Sequence, residues 1–285
     1  MKLHVIFFTV LILICAAATQ GKEPAQGPTK KADAYNKIDA ALVVANAAGE
    51  SDIIQDIAMA AAQADTDLAI TVETLSRENA IKNFTSGKAG LLLLRREPSL
   101  AEQKLLQDSI MVPYAAEPTI IVVNSANSIS DIKIETARKV FSGEVASWRP
   151  LGISDYMIHL FGLEKNLPGT GPLNDKILGG SKLTSRIFTV SSSPEVLELV
   201  TANNNAMGFC AFVESAPETV RLLTVDGFLP NETNILAGKY PLVNVYYACF
   251  KNGAGNDLAR KFAETLRSPA VAKILKARGL ISKIN

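Results

Sequence analysis

The chain has 285 residues, 48% of them apolar, with 29 Lys and Arg against 28 Asp and Glu. That apolar share excludes a disordered chain, and the near-neutral balance without a basic block argues against a nucleic-acid partner. Past the N-terminal leader about 250 residues remain, enough for two lobes with cores of their own.

Met1-Lys2 opens a short basic segment, and residues 5–17 are apolar except for Thr9. The run is short for a bilayer span and fits the core of a secretory signal peptide covering residues 1–18, cut after Ala18. A lipid anchor at Cys15 is disfavoured because Ile14 stands where a small residue is required. The expected location is therefore the periplasm or the cell exterior. Residues 19–37, with the polar Pro/Gly stretch at 23–31, read as a flexible leader. The remaining cysteines, Cys210 and Cys249, sit in apolar strand-like runs, and two buried free thiols are favoured over a disulfide.

From residue 40 onward strands and helices alternate. Residues 41–45 read as a strand, 46–51 as a small-residue loop and 53–62 as an alanine-rich helix. A second strand at 68–72 leads to Ser76, which can cap a helix over 77–84, and the apolar strand at 90–94 is expected to be buried on both faces. Such short strand–loop–helix units predict a parallel α/β sheet with right-handed crossovers. Residues 109–123 read as two extended pieces joined at Ala115-Ala116-Glu117-Pro118, a connection suited to passing from one lobe to the other. A short amphipathic helix follows at 136–141, stopped by Ser142-Gly143, since glycine takes the left-handed C-cap without steric cost. Phe141 and Trp148 are expected in the core of the second lobe.

Further on, residues 157–161 read as a strand, 173–178 as a helix and 188–190 as a short strand. Ser193-Pro194 reads as a helix start with Ser193 as N-cap, and residues 206–213 as a strand returning to the first lobe. Strands at 220–225 and 243–250 precede one or two amphipathic helices within 257–277, the second restarted by Ser268-Pro269 and ended before Gly279.

Catalytic chemistry finds little support. Of the two histidines, His4 belongs to the signal peptide and His159 lies inside the apolar run MIHLF. No G-x-S-x-G, H-E-x-x-H or C-x-x-C occurs, Gly87-Lys88 lacks the P-loop spacing, and the acids are scattered. No enzyme, cofactor or metal site is expected. Anion binding is better served, because helix N-termini present unpaired N–H groups and partial positive charge. Three strand-to-helix loops have the right small residues: Gly49 and Ser51, Thr74 and Ser76, and Gly169, Thr170 and Gly171. Singly, each is also ordinary helix capping; a site requires that they converge on one cleft. Arg95, directly after the third strand, either supplies positive charge to that cleft or ends the strand in solvent.

Taken in order, these motifs resemble the phosphate-binding proteins of ABC transporters and the wider family of type II periplasmic binding proteins. The marks are the strand Thr119-Ile120-Ile121-Val122-Val123-Asn124, the block from Val140 to Trp148 (VFSGEVASW), the strand Ala206-Met207-Gly208-Phe209, the segment ending Gly238-Lys239-Tyr240-Pro241-Leu242, and Ser268-Pro269 with Gly279-Leu280. The resemblance implies an α/β fold of two lobes, each a mostly parallel sheet flanked by helices: residues 38–118 and 214–285 in lobe 1, 119–213 in lobe 2. It implies capture of a small oxyanion, phosphate first, in the interlobe cleft, and delivery to an inner-membrane ABC permease by a monomer. In the family the anion is held by hydroxyls, backbone N–H groups, one arginine and one aspartate. Here Gly169, Thr170 and Gly171 match the family's Gly-Ser-Gly, Pro172 replaces its threonine, Asn166 stands at its arginine, and no acid lies near Leu94-Arg95. Gly49, Ser51, Thr74, Ser76 and Arg95 complete the expected ligand set. The alternative is a scaffold or interaction protein that keeps the fold without the anion site.

Overall fold

The structure, a computed structural model, describes residues 41–49, 51–65, 68–253 and 255–283. The signal peptide and leader expected over residues 1–37 lie outside the described residues.

The first lobe begins with β1 (Leu42–Asn46), α1 (Ser51–Ala64), β2 (Ile70–Thr74), α2 (Arg77–Thr85) and β3 (Leu91–Leu94). β1 pairs in parallel with both β2 and β3, as short β-α-β units require. The four leucines of β3 are all buried, because alternate side chains serve two cores. Leu91 and Leu93 pack with Ile53, Ile54 and Ile57 of α1, while Leu92 and Leu94 pack with Ile81 and Phe84 of α2. Each leucine so buried is worth on the order of 2 kcal/mol against an exposed one. A short helix absent from the sequence expectation, α3 (Leu100–Leu105), follows behind a capping box. The Ser99 hydroxyl accepts from the Glu102 N–H and the Glu102 carboxylate accepts from the Ser99 N–H, the pairing that S-x-x-E encodes.

β4 (Ser109–Asn124) corrects the expectation of two joined pieces: it is one continuous strand. Its first part pairs antiparallel with β11 (Val243–Lys251) and its second part with β8 (Ala206–Ala211). The change of partner falls between Pro118, opposite Val243, and Thr119, opposite Ala211. Proline has no N–H for a ladder, so the neighbour can be exchanged there at little cost. A bulge opposite Tyr246 and Tyr247 bends the same strand near Pro113.

In the second lobe β5 (Asp131–Ile132) leads to α4 (Ile134–Ser142), which ends at Gly143 with φ 87° as expected. β6 (His159–Leu163) and β7 (Phe188–Val190) run parallel, and β6 also runs parallel to β8. Between β6 and β7, residues Leu173–Leu178 form a π-helical turn rather than an α-helix, closed by the Gly179 N–H on the Asn174 carbonyl five residues back. α5 (Ser193–Thr201) is capped by Ser192, one residue earlier than expected, because its hydroxyl accepts from the Glu195 N–H. β8 is two residues shorter than expected, ending at Ala211, and pairs with β4 and β6. Trp148 and Phe141 are fully buried in this core, with Phe141 edge-on to Phe209 at 5.6 Å.

Beyond β8 come β9 (Val220–Leu222) on β4, β10 (Thr224–Val225) on β5, and α6 (Glu232–Leu236). α7 (Asp257–Thr265) and α8 (Pro269–Ala277), the latter capped by Ser268, cover the first-lobe sheet before β12 (Ile281–Ser282) pairs with β4. The sheet order is β2-β1-β3-β11-β4-β8-β6-β7, with β9 and β12 also against β4. This is the mixed two-lobed α/β architecture that was expected, with antiparallel β11 and β4 joining the parallel strands of the two lobes. Cys210 and Cys249 are free and buried, and burial raises both thiols to about 12. No helix of the described residues is long and apolar enough to cross a membrane.

Candidate functional site: a buried carboxylate between the lobes

Three of the expected ligand residues come together, and they do so around an acid outside the expected set. Glu117, fully buried on β4, has its backbone fixed in the ladder opposite Asn244. Arg95, at the end of β3, donates to it through both Nε and Nη2, with Nε 2.9 Å from Oε2. From the second lobe, the Gly169 N–H donates to Oε1 at 2.8 Å and the Gly171 N–H at 3.2 Å. The Tyr246 hydroxyl, on β11, donates to Oε2 at 3.2 Å. Five donors from both lobes thus converge on one carboxylate. A guanidinium fork and charge-assisted backbone bonds are the strong form of carboxylate recognition, and they offset the desolvation of a buried acid.

Local structure explains why the loop can do this. Gly169 has φ 90°, and a Cβ on it would lie 2.6 Å from the backbone of Ala211. A Cβ on Gly171 would lie 2.5 Å from Glu117 Oε2 and 2.9 Å from Arg95 Nε. Both positions therefore need glycine, one for conformation and close approach, the other for room around the carboxylate. Thr119, next to the partner switch in β4, donates its hydroxyl to the Gly169 carbonyl and ties the loop down. Tyr240 donates in turn to the Thr119 carbonyl at 2.8 Å.

The other expected ligand residues are placed differently. Thr170 is buried, and its hydroxyl donates to the Leu167 carbonyl at 2.7 Å, closing the loop on itself. Gly49, with φ 85°, turns the chain into α1, of which Ser51 is the first residue. Thr74 ends β2 in an exposed position, its hydroxyl accepting from the Asn46 amide at 3.4 Å. Ser76 is the exposed N-cap of α2 and accepts from the Asn79 N–H. Asn166 has φ 72° and is exposed, while Pro172 is buried at the entry to the π-helical turn.

A separate cavity of about 630 Å³ is lined by Leu167 and Pro168, by Ser192, by Phe212, and by Lys276 and Ile281, and none of Arg95, Glu117, Gly169, Gly171 and Tyr246 lines it. Only the start of the Glu117-binding loop, Leu167 and Pro168, reaches that cavity. Lys276 makes an ion pair of 2.6 Å with Glu214 across its rim. His159 is exposed beside Asn203, and among the described residues no group of three or more His, Cys, Asp and Glu is placed to hold a metal ion.

The missed residue carried a signal. Glu117 is a lone acid within a stretch of apolar residues, and such an acid is seldom buried without a partner.

The chain is 21% identical over 272 residues to the phosphate-binding protein PstS of Bacillus subtilis, covering 94% of this chain and 89% of the relative. It is similar in fold to an ABC-type phosphate transport receptor from Vibrio cholerae, with a TM-score of 0.68, 20% identity, and coverage of 84% of this chain and 99% of that one. PstS from Borrelia burgdorferi superposes with a TM-score of 0.71 at 16% identity, covering 86% and 99%. The family described as a PBP superfamily domain matches residues 18–269, and the chain belongs to that family.

Proposed function

We propose that this chain is the solute-binding component of an ABC-type uptake system, capturing a small oxyanion between its lobes, phosphate being the first choice. The observation that carries the reading is the convergence of Arg95 and the Gly169 and Gly171 N–H groups on one carboxylate, since those donors suit phosphate oxygens equally well. Similarity to proteins named for phosphate binding and transport supports the choice of anion. In this reading residues 38–118 and 214–285 form one lobe and 119–213 the other, hinged where β4 changes partner and where the chain leaves β8. The protein works outside the cytoplasm as a monomer, performs no catalysis, and passes its solute to a membrane permease.

A second reading has its own observation. Glu117 fills the position among these donors, and Asn166 and Pro172 supply neither guanidinium nor hydroxyl. A scaffold or interaction protein that keeps the fold without binding an anion accounts for this. Isothermal titration with phosphate, sulfate and molybdate separates the two. Solute binding predicts heat with phosphate and a rise in Tm by mass action, equivalent to about 2.7 kcal/mol at a hundredfold excess over Kd. Absence of heat and of any Tm shift with all three anions would leave the scaffold reading.

A further inference from the structure

We infer that Glu117 is a tethered occupant of an oxyanion seat: its carboxylate holds the place of an outside anion, which enters only when the side chain swings out. The inference deepens the solute-binding reading and rests on it for the identity of the outside ligand. Its basis is the geometry of the seat.

Glu117 takes from Arg95, Gly169, Gly171 and Tyr246 the contacts that a small oxyanion would use. Both cannot occupy the seat at once, because the Arg95 fork and the Gly169 and Gly171 N–H groups are already directed at the Glu117 carboxylate. The glutamate backbone cannot leave, since its strand is held on one side by β11 through the Asn244 pairing and on the other end by β8. What can change is the side chain, whose rotations carry the carboxylate away from a seat built by other elements. Arg95 and Tyr246 come from the first lobe and the glycines from the second, so the tethered carboxylate bridges the two lobes as a captured solute would. The effective concentration of a group attached to the wall of its own seat is high, so an outside anion competes at a disadvantage. Glu117 thereby sets the threshold concentration for solute uptake. Once displaced it faces the incoming anion, and like charges disfavour that arrangement further.

The test uses the wild-type chain, Glu117→Ala and Glu117→Gln. Alanine empties the seat; glutamine keeps its volume, removes the charge, and presents an amide N–H₂ to the Gly169 and Gly171 donors or turns away. Phosphate binding is measured by isothermal titration, and Tm is followed with sodium formate, the smallest carboxylate that fits where Glu117 was. The expected result is phosphate affinity raised at least about tenfold in Glu117→Ala and to a smaller degree in Glu117→Gln. Formate is expected to raise the Tm of Glu117→Ala by several degrees and to leave the wild type unmoved. Should Glu117→Ala fail to fold, Glu117→Gln with phosphate carries the same decision. Phosphate affinity unchanged or lowered in the folded variants, together with no formate response, overturns the inference even if the wild type binds phosphate. Formate rescue of Glu117→Ala in a protein that binds no phosphate, sulfate or molybdate upholds the seat and rejects the solute-binding reading instead.

Discussion

Two strand-to-helix loops of similar composition have different fates in this fold. Thr74-Leu75-Ser76 and Pro168-Gly169-Thr170-Gly171 both place small residues between a parallel strand and a helical turn, and both could cradle an anion. Ser76 uses its hydroxyl to cap its own helix in solvent. Gly169 and Gly171 instead turn their N–H groups on a fully buried carboxylate from another element. The difference is not in the loops alone. It comes from what the topology carries past them: β4 brings Glu117 between the lobes at the point where it exchanges β11 for β8.

The comparison breaks most severely at Arg95. Replacing it with alanine leaves Glu117 buried without its charged partner, and loss of one member of such a pair costs about 3 kcal/mol or more. Because the Arg95 side chain is 20% exposed, the lower end of that range is expected in urea denaturation. Anion binding should vanish in the same variant.

Gly169→Ala comes next. Its Cβ would meet the Ala211 backbone at 2.6 Å in a conformation with positive φ, so the loop must shift away from Glu117. A loss of about 2 kcal/mol in the same assay is expected. Ser76→Ala, the equivalent change in the other loop, removes only an exposed cap and should cost about 0.5–1 kcal/mol with no effect on anion binding. Equal costs for the two variants would remove the distinction between the loops.

The smallest effect concerns a pair that sits between these extremes. Arg77, on α2, donates to Glu102 on α3 at 2.7 and 3.0 Å, and this holds the Glu102 carboxyl at about 2, below its ordinary value of 4.5. A carboxyl lowered on folding stabilises the protein above its unfolded value, so the benefit is present above about pH 4.5 and is lost as pH falls through about 2. Arg77→Ala should flatten the stability profile in that window, measured by urea denaturation at a series of acid pH values. A profile unchanged by the substitution would show that the pair does not couple to folding.

Much of the fold was legible because it depends on local pattern. The apolar runs at Leu91–Leu94 and in β4, the Gly143 stop and the Ser268-Pro269 restart each act through their own neighbours. The capping box at Ser99 was equally local and equally readable, and α3 was missed only because its helix buries no side chain to give it an apolar stripe. The candidate site was half legible. Arg95 is legible from its place at a strand end, and Gly169 and Gly171 from theirs ahead of a helix, whereas Glu117 lies inside a segment that reads as a connection. No spacing in the sequence shows that residues 95, 117, 169 and 246 meet, because their meeting depends on β4 running unbroken through both lobes. The π-helical turn after Pro172 is illegible for a related reason, since its wide turn closes only on Gly179.

In the proposed function Arg95 and the Gly169–Gly171 loop form an oxyanion seat at the junction of the lobes. The most direct measurement is a crystal structure of the wild-type protein grown with phosphate at saturating concentration. The claim predicts phosphate bound by Arg95 and the Gly169 and Gly171 N–H groups, with the Glu117 carboxylate rotated out of the seat. Phosphate bound elsewhere in the cleft, with Glu117 still held by the same donors, would contradict it.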